Sequence, residues 1–268
     1  MRPTSRVASL ARVLRALVRL NVAEELQYRA NFVASLLGTL FWMVLALLTL
    51  GLFFRHATRL GGWDYWEVVV LLGIFNALTG VIEAVLRPGI GELASEVRSG
   101  KLDLMLTRPV DAQVYVSFRT LDLWRLSDFA LGLGLAGYAL VRLGHLPSPL
   151  ALASFAVTFG AAVVVVYTMW VALMCLAFWL VAVENLSVLF DAFYEAARYP
   201  VTAYPGTLRF IFVYLLPIAW TTTVPAGTLT GRLGPPMAAA AAGVAAAALV
   251  VTRMLWRTAL RRYTSAGG

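Results

Sequence analysis

Cysteine and histidine, which often hold metals or carry covalent chemistry, are almost absent from this chain of 268 residues. Its single cysteine, Cys175, excludes an intrachain disulfide, and its position inside an apolar run predicts a small packing residue. The two histidines, His56 and His145, fall in short stretches between apolar runs, with no second ligand at metal-binding spacing. The sequence therefore predicts neither a metal centre nor a bound cofactor in this chain.

Charged residues are also scarce, at 13%, while hydrophobic residues make up 60% and the mean hydropathy is +0.79. A soluble domain is nearer half apolar and a quarter charged. This composition excludes an ordinary soluble protein and indicates an integral membrane protein. Because apolar runs use most of the length, no separate globular domain is expected.

Nucleotide-binding motifs are missing as well. The pair Gly100-Lys101 is the nearest approach to a phosphate-binding loop, but Ser95 and Leu102 stand where that motif needs glycine and Ser or Thr. The Gly-x-Ser-x-Gly turn of serine hydrolases does not occur either. We therefore predict that the chain is not an enzyme and does not hydrolyse ATP by itself.

Apolar runs of about 20 residues, the length that crosses ~30 Å of hydrocarbon, recur along the chain. They predict an all-α polytopic membrane protein with six transmembrane helices. The fourth run is so long that it must tilt, kink or extend past the bilayer. The runs are 31–54, 66–86, 121–141, 150–183, 207–229 and 236–256.

Positive charge determines the orientation of these runs. Eighteen of the 22 lysine and arginine residues fall on the side that carries both termini, and the other four are Arg55, Arg59, Arg142 and Arg232. Because cytoplasmic segments of membrane proteins carry the excess of positive charge, both termini are predicted to be cytoplasmic. The net charge of +8 follows from this topology, so no nucleic-acid partner is expected.

The first 30 residues form neither a cleaved signal peptide nor a simple tail. Arg12, Arg15 and Arg19 share one helical face, and leucines occupy the opposite face. This pattern is typical of an amphipathic helix that lies among the headgroups of membrane lipids. It fits a membrane anchor for the first span, and it also fits an elbow helix that leans on neighbouring spans or on a partner.

The largest polar segment between spans runs from Gly89 to Phe118. Glu92 and Glu96 are four residues apart, which places them on one face of a short helix that Gly100 is suited to end. Pro109 then prevents a regular helix from continuing. A helix below the membrane followed by a charged turn predicts docking to a soluble cytoplasmic partner.

Polar residues within the second span are candidates for a substrate pathway. Glu83 is costly inside a bilayer, but Arg87 lies four residues away and is expected to pair with it. Asn76 and Thr79 precede Glu83 on the same span and are weaker pathway candidates.

The fifth predicted span contains two prolines, Pro217 and Pro225, each of which is expected to remove an intrahelical hydrogen bond. Three threonines lie between them, of which Thr221 is the first, and their hydroxyl groups are able to satisfy freed carbonyl groups. The segment is predicted to be irregular, and it serves either as a gate or as a static kink for packing.

Two further charged patterns have structural interpretations. Asp122, Arg125 and Asp128 are spaced three residues apart, so the arginine is expected to pair within its own helix. The stretch from Asn185 to Pro200 is amphipathic, and it either extends the fourth span below the membrane or forms a second docking helix.

The stretch EVRSGKLDLMLTRPVD and the later ARYPVTAYPGTLRFIFVYLLPIAWTTTVPA resemble, in that order, the ABC-2-type permeases. Members of this family carry an Arg-x-Gly-Lys-Leu-Asp stretch before an Arg-Pro pair, and they are the six-span transmembrane subunits of ABC transporters. The resemblance covers the chain from Glu24 to Arg232 and includes the six-span layout.

The resemblance implies a dimer with an identical or similar second permease chain, and two copies of a separate cytoplasmic ATPase that binds ATP and magnesium. It implies export across a prokaryotic inner membrane, with the polar connection as the coupling region that sits in a groove of the ATPase. The residues that it assigns to docking are Glu92, Glu96, Arg98, Lys101, Asp103 and Arg108, with Gly100 and Pro109 setting the turns.

Two other functions are weighed against this one: an ATP-independent carrier or channel, and a membrane-embedded enzyme that modifies lipid. Interfacial clusters of Asp, His or Ser are missing, which argues against the enzyme, and no inverted repeat favours the carrier. The predicted segments of the single transmembrane domain are an amphipathic helix (1–30), spans 1–2 (31–87), the cytoplasmic coupling region (88–118), spans 3–4 (119–183), a cytoplasmic amphipathic segment (184–206), spans 5–6 (207–257) and a cytoplasmic tail (258–268).

Overall fold

The computed structural model of the protein describes residues 29–107, 111–144, 146–179 and 186–263. These residues form α-helices joined by short 3₁₀ and π turns, and among them no β-strand occurs beyond a single bridge between Leu60 and Trp63. The helices are α1 (Arg29–His56), α2 (Tyr65–Val81), α3 (Arg87–Ile90), α4 (Leu93–Ser99), α5 (Leu102–Leu106), α6 (Ala112–Phe118), α7 (Leu126–Arg142), α8 (Pro149–Cys175), α9 (Leu186–Glu195), α10 (Gly206–Phe210), α11 (Thr223–Leu229) and α12 (Pro236–Arg262).

The predicted all-α membrane protein is confirmed at the level of its long apolar helices. A pair of shorter helical stretches, Gly206–Leu215 and Ile218–Leu229, adds a fifth candidate if it counts as one span. Helix α7, in the third predicted run, has 17 residues, at the short end of the range for a span. Of the predicted N-terminal amphipathic helix (1–30), residues 1–28 lie outside the part of the chain that the structure describes. The four described helices long and apolar enough to cross a membrane are Val33–His56, Tyr65–Val97, Pro149–Phe178 and Pro236–Arg262.

A close backbone contact joins α2 to α7. Gly73 and Gly80 of α2 lie against the α7 backbone, and a Cβ added to Gly132 of α7 would stand 2.3 Å from the backbone nitrogen of Ala77. Only glycine fits at such a distance. Because lipid tails are as apolar as leucine, contacts of this kind hold membrane helices together by van der Waals packing.

Helix α8 is the centre of the other half of the bundle and packs against α11 and α12. Trp170, Met174 and Cys175 on its second half are fully buried, so the predicted packing role of the cysteine agrees with its position. The helix ends at Cys175 and a 3₁₀ turn continues to Phe178. The described helical part of the long fourth run therefore covers residues 149–178.

The chain from α9 to residue 203 runs along the length of α2. At one end, the Asp191 carboxylate accepts a 2.6 Å hydrogen bond from Arg87, which follows α2. At the other end, the Thr202 hydroxyl donates a 2.6 Å hydrogen bond to the carbonyl of Gly61, which precedes α2. Residues 186–203 thus connect the two ends of the bundle.

Aromatic side chains hold this stretch inside the bundle. Phe190 and Tyr194 are buried, and the Tyr194 ring stacks on Phe75 of α2 with 4.9 Å between the ring centroids. This path differs from the predicted cytoplasmic segment over 184–206. The sequence pattern is amphipathic, but its apolar face packs on α2 and its charged face lines an internal cavity.

The bent pair, residues 206–229, begins and ends beside the same loop. Thr202, just before it, bonds to Gly61, and Arg232, just after it, donates a 2.7 Å hydrogen bond to the carbonyl of Gly62. Its two halves meet at 72°, and Pro217, which has no N–H to donate, stands at the break. Residues next to both ends of the pair therefore lie beside the loop that precedes α2.

Replacing Gly132 with alanine should destabilise the protein, because the new Cβ meets the α2 backbone, and such overpacking costs about 1–3 kcal/mol. Gly134, on the same helix, has open space around its Cβ position, so Gly134→Ala is the matched control. The thermal unfolding midpoint of the purified protein should fall for Gly132→Ala only. Equal midpoints for the two variants would contradict the close contact.

Candidate coupling surface and polar cavity

The predicted coupling segment, 88–118, is described over residues 88–107 and 111–118, which fold as short helices at the Arg87 end of the bundle; we keep the name coupling segment for it. Helix α4 ends at Gly100, whose φ of 71° is the left-handed conformation that glycine adopts without strain, and α5 follows at once. This is the helix end that the sequence predicts. Leu93 and Leu102, one on each helix, are fully buried and fix both helices against the bundle.

Glu96 points into the protein. It is 5% exposed, and its carboxylate lies 2.5 Å from the guanidinium group of Arg119. Glu96 was predicted to dock a partner, but its side chain is used within the chain to fasten α4.

Other side chains of this segment are exposed, and we call this exposed set the docking face (Glu92, Ser95, Ser99, Lys101, Leu104 and Leu106). It contains two predicted docking residues, Glu92 and Lys101, whereas Asp103 is half-buried. Leu104 is 72% exposed, and the sequence analysis missed it because a leucine in an alternating stretch is typical of a core position. The predicted docking residues whose side chains lie outside the described part are Arg98, Arg108 and Pro109.

A second ion pair fastens the far end of the coupling segment to α12. Asp111 caps α6 by accepting a 3.3 Å hydrogen bond from the backbone N–H of Val114, and it also accepts hydrogen bonds from the guanidinium group of Arg253. The same guanidinium group donates a 2.8 Å hydrogen bond to Gln113. Because 142 residues separate Asp111 from Arg253, no local pattern predicts this pair.

A polar cavity of about 920 Å³ lies between α1, α2, α7 and α9. Asn76 and Glu83, two of the predicted pathway residues, line it. Its wall mixes both signs of charge, since four carboxylates and three guanidinium groups face it. These are Glu83, Asp128, Asp191 and Glu195, with Arg87, Arg125 and Arg198.

Arg87 is the centre of the ion pairs in this wall. Its guanidinium group lies 2.7 Å from Glu83, so the predicted pair between these residues is confirmed. It also lies 2.6 Å from Asp191 and stacks over the Trp170 ring at 4.9 Å from the centroid. The contact between Asp191 and Arg87 could not be predicted from spacing, because 104 residues separate the two.

Asp128 is bound differently from the other carboxylates of the cavity. It is 4% exposed and accepts a 2.7 Å hydrogen bond from the Thr39 hydroxyl on α1. Arg125, the partner predicted from the spacing, stands 3.9 Å from Asp128 and 3.7 Å from Asp122. The predicted pairing within this helix is present, at long distances.

The predicted gating residues Pro217, Thr221 and Pro225 lie in the bent pair and do not line the polar cavity. The Thr221 hydroxyl donates a 2.7 Å hydrogen bond to the carbonyl of Ile218, which supports the predicted use of threonine at this break. Pro225 lies in the first turn of α11, where the backbone N–H has no intrahelical partner. It therefore removes no hydrogen bond, contrary to the sequence-based expectation.

A family comparison places this architecture among known proteins. A family model described as ABC-2 family transporter protein matches residues 40–267, which is most of the chain. The chain belongs to the ABC-2 family of transporter proteins. Neither a curated protein nor a solved structure matches it.

Membership confirms the family resemblance and identifies this ABC-2 protein as a membrane-embedded component of membrane transport. Its polar groups have roles in packing, capping and lining the cavity. In the described part of the chain, no group of three His, Cys, Asp or Glu side chains could hold a metal ion.

Asp111 gives a pH prediction for this ABC-2 protein. Burial disfavours its carboxylate, but the hydrogen bonds from Arg253 and from backbone N–H groups outweigh burial, so its pKa lies below the ordinary value of 3.8. A lowered pKa stabilises the fold above the unfolded pKa, and this stabilisation is lost as the pH falls through the folded pKa.

The protein should therefore lose stability below about pH 4, and Asp111→Asn should be less stable near neutral pH but show a smaller loss in acid. Thermal unfolding midpoints measured across the acid range check this prediction. Parallel pH profiles for the variant and the wild type would contradict the role of the ion pair.

Proposed function

We propose that this ABC-2 protein is the permease subunit of an ABC transporter in a prokaryotic inner membrane, and that it exports its substrate. Two copies of a cytoplasmic ATPase, which bind ATP and magnesium, drive the transport. A second permease chain, identical or similar, completes the pathway. Family membership and the architecture of the coupling segment support this function.

The docking face is the observation that carries the proposal. Leu104 is 72% exposed, and Glu92 and Lys101 of the same face are also exposed. A protruding apolar side chain with charged residues around it suits a groove on a soluble partner, because binding energy concentrates in a few apolar anchors inside a polar rim.

The inner face of the coupling segment supports a role in transmitting motion. One ion pair joins Glu96 to Arg119, and another joins Asp111 to Arg253 on α12. ATP can change the permease only if the ATPase binds two permease conformations with different affinity. A segment fastened in this way moves together with the bundle to which it is attached.

Helix α1 supports the presence of a second permease chain. Among its described side chains only Leu50 is buried, while Phe41, Trp42 and Leu48 are each more than 60% exposed. Such a surface in a bilayer contacts lipid tails or another helix. We assign part of it to the second permease chain and the rest to membrane lipids.

The proposed topology has six crossings, with both termini in the cytoplasm. The crossings are α1, α2, α7, α8, residues 186–203 and α12. The bent pair enters and leaves at the outer end, and its exposed Arg209 then lies on the outer side instead of the cytoplasmic side first expected.

Leu104→Glu should remove the soluble ATPase that co-purifies with the protein, because a charge at the anchor cannot enter an apolar groove. The expected loss of affinity is about tenfold or more. Leu146→Glu is the matched control, since Leu146 is 81% exposed in the loop between α7 and α8, at the opposite end of the bundle. The measurement is the amount of ATPase per permease after affinity purification.

Two outcomes would contradict the proposal. If Leu104→Glu retains the ATPase as fully as Leu146→Glu does, the docking face is wrong. If the wild type binds no ATPase at all, the assignment of the protein as an ABC transporter subunit is wrong. An ATP-independent carrier or a lipid-modifying enzyme then becomes the better description.

Single cysteines test the topology after Cys175 has been replaced by alanine. Thr207→Cys, near the start of the bent pair, and Gly234→Cys, just after it, change exposed residues and should react with a membrane-impermeant maleimide on intact cells. A cysteine at Lys101 should react only after the membrane is opened. If the Thr207 position reacts like the Lys101 position, the bent pair crosses the membrane as a span.

A further inference from the structure

Two cavities adjoin on the side of the bundle where α1 lies. The polar cavity lies beside the Arg87 end of α2, and an apolar cavity of about 480 Å³ lies beside Leu72 and Leu60, toward the opposite end. Trp42 and Arg198 line both cavities. Together the two form one amphipathic chamber.

The two halves of this chamber suit different chemical groups. The apolar half is walled by side chains such as Leu45, Leu50, Phe53 and Val68, which cannot replace the hydration of a polar solute. The polar half offers carboxylates, guanidinium groups and Asn76. A ligand that fills both halves needs a polar head and an apolar tail.

The charges of the polar half indicate the sign of that head. Among the described residues, four carboxylates and three guanidinium groups face it, an excess of one negative charge within this part of the chain. Glu83, Asp191 and Glu195 each have an arginine nitrogen within 3.0 Å. The fourth carboxylate, Asp128, has Arg125 only at 3.9 Å.

Asp128 is therefore the carboxylate that can take another cation. Its short hydrogen bond comes from the neutral hydroxyl of Thr39, and only 4% of the residue is exposed. A buried carboxylate within a span is costly unless a positive charge compensates it. Trp42 lines the same cavity, and the face of an indole ring attracts ammonium groups.

The geometry points to an amphiphile with a single cationic head as the ligand of this chamber. Its ammonium group lies beside Asp128, and its apolar tail extends along α1 past Trp42 toward Leu60. This assignment names the substrate class of the proposed permease and rests on that function. The head lies nearer the end that carries the coupling segment, so the ligand enters from the cytoplasmic leaflet.

Binding of dodecyltrimethylammonium tests the inference. The full chain is placed in nanodiscs of phosphatidylcholine, and bound radiolabelled probe is measured above that of empty nanodiscs. Dodecyl sulfate and dodecanol carry the same tail with a negative and a neutral head. The cation should bind saturably and at least about tenfold more tightly than either of them.

Asp128→Asn should weaken cation binding about tenfold or more, because it removes the charge and keeps the shape. Asp122→Asn is the matched control, since Asp122 lies at a similar distance from Arg125 but does not line the chamber. Trp42→Ala should also weaken binding, and Trp42 as a residue is 64% exposed, so the substitution spares the core. It keeps the inference testable if Asp128→Asn does not fold.

Equal binding of the three probes would contradict the assignment of a cationic head group to the ligand. An Asp128→Asn variant that binds the cation as tightly as the wild type does would contradict it too. Equal weakening by Asp122→Asn would overturn the site. The absence of saturable cation binding would overturn the whole inference. That result is also the one expected if another part of this chain or a second copy fills the chamber. Because the ATPase is measured separately, none of these results would by itself remove the proposed permease function.

Discussion

The contact between α2 and α7 is the constraint on which the rest of the bundle depends. A Cβ at Gly80 would stand 2.4 Å from the backbone nitrogen of Phe129, so the start of α7 lies directly on α2. This approach holds Asp128, the residue before Phe129, at the level of Thr79. The polar cavity then forms where α1 and α9 meet this helix pair. Larger residues at the contact would separate the helices and open the cavity to lipid.

Irregular backbone occurs where polar groups are available to satisfy it. A π-helical turn, Ile82–Leu86, follows α2, and the carbonyl of Ala84 within it accepts a 2.8 Å hydrogen bond from the backbone N–H of Asp122. In the bent pair, the Thr222 hydroxyl donates to the carbonyl of Ala197, while the Thr223 hydroxyl accepts from the backbone of Val201. Both sites are enclosed by protein, as a hydrocarbon surrounding requires.

Local features of the fold follow from the sequence, and features that join distant segments do not. Long apolar runs predict α1, α2, α8 and α12, because a helix satisfies the hydrogen bonds of its backbone N–H and carbonyl groups within the run itself. The spacing of Glu83 and Arg87 likewise predicts their pair. The inward position of Glu96 was not predictable, because the same spacing suits a buried and an exposed face. Only the tertiary partner, Arg119, distinguishes the two.

The path of residues 186–203 was not predictable for a related reason. Residues 207–229 are apolar enough to cross a bilayer, whereas residues 186–203 carry charges that suggest a surface. In the fold, those charges face a cavity with oppositely charged groups, as the pair between Asp191 and Arg87 illustrates. A hydropathy value is the mean over the residues of one segment. It does not show that charges on that segment are paired with opposite charges on another helix. A reading of the sequence therefore does not reveal charged helices that pack inside the bundle and line a cavity.

A continuous set of contacts leads from the docking face to the polar cavity. Glu96, on the buried side of α4, binds Arg119, and Arg119 also donates a 3.4 Å hydrogen bond to the carbonyl of Gly89 in α3.

Helix α3 also contains Arg87, whose side chain binds Glu83 and Asp191 in the cavity wall. A Cβ at Gly89 would stand 2.5 Å from the carbonyl oxygen of Val116, so α3 and α6 are in direct backbone contact and one cannot shift without the other. Displacement of residues 88–107 would therefore move Arg87, and with it the charges of the cavity wall. Such a linkage would give the proposed ATPase a way to alter the affinity of the proposed ligand site, which is the difference between states that transport requires.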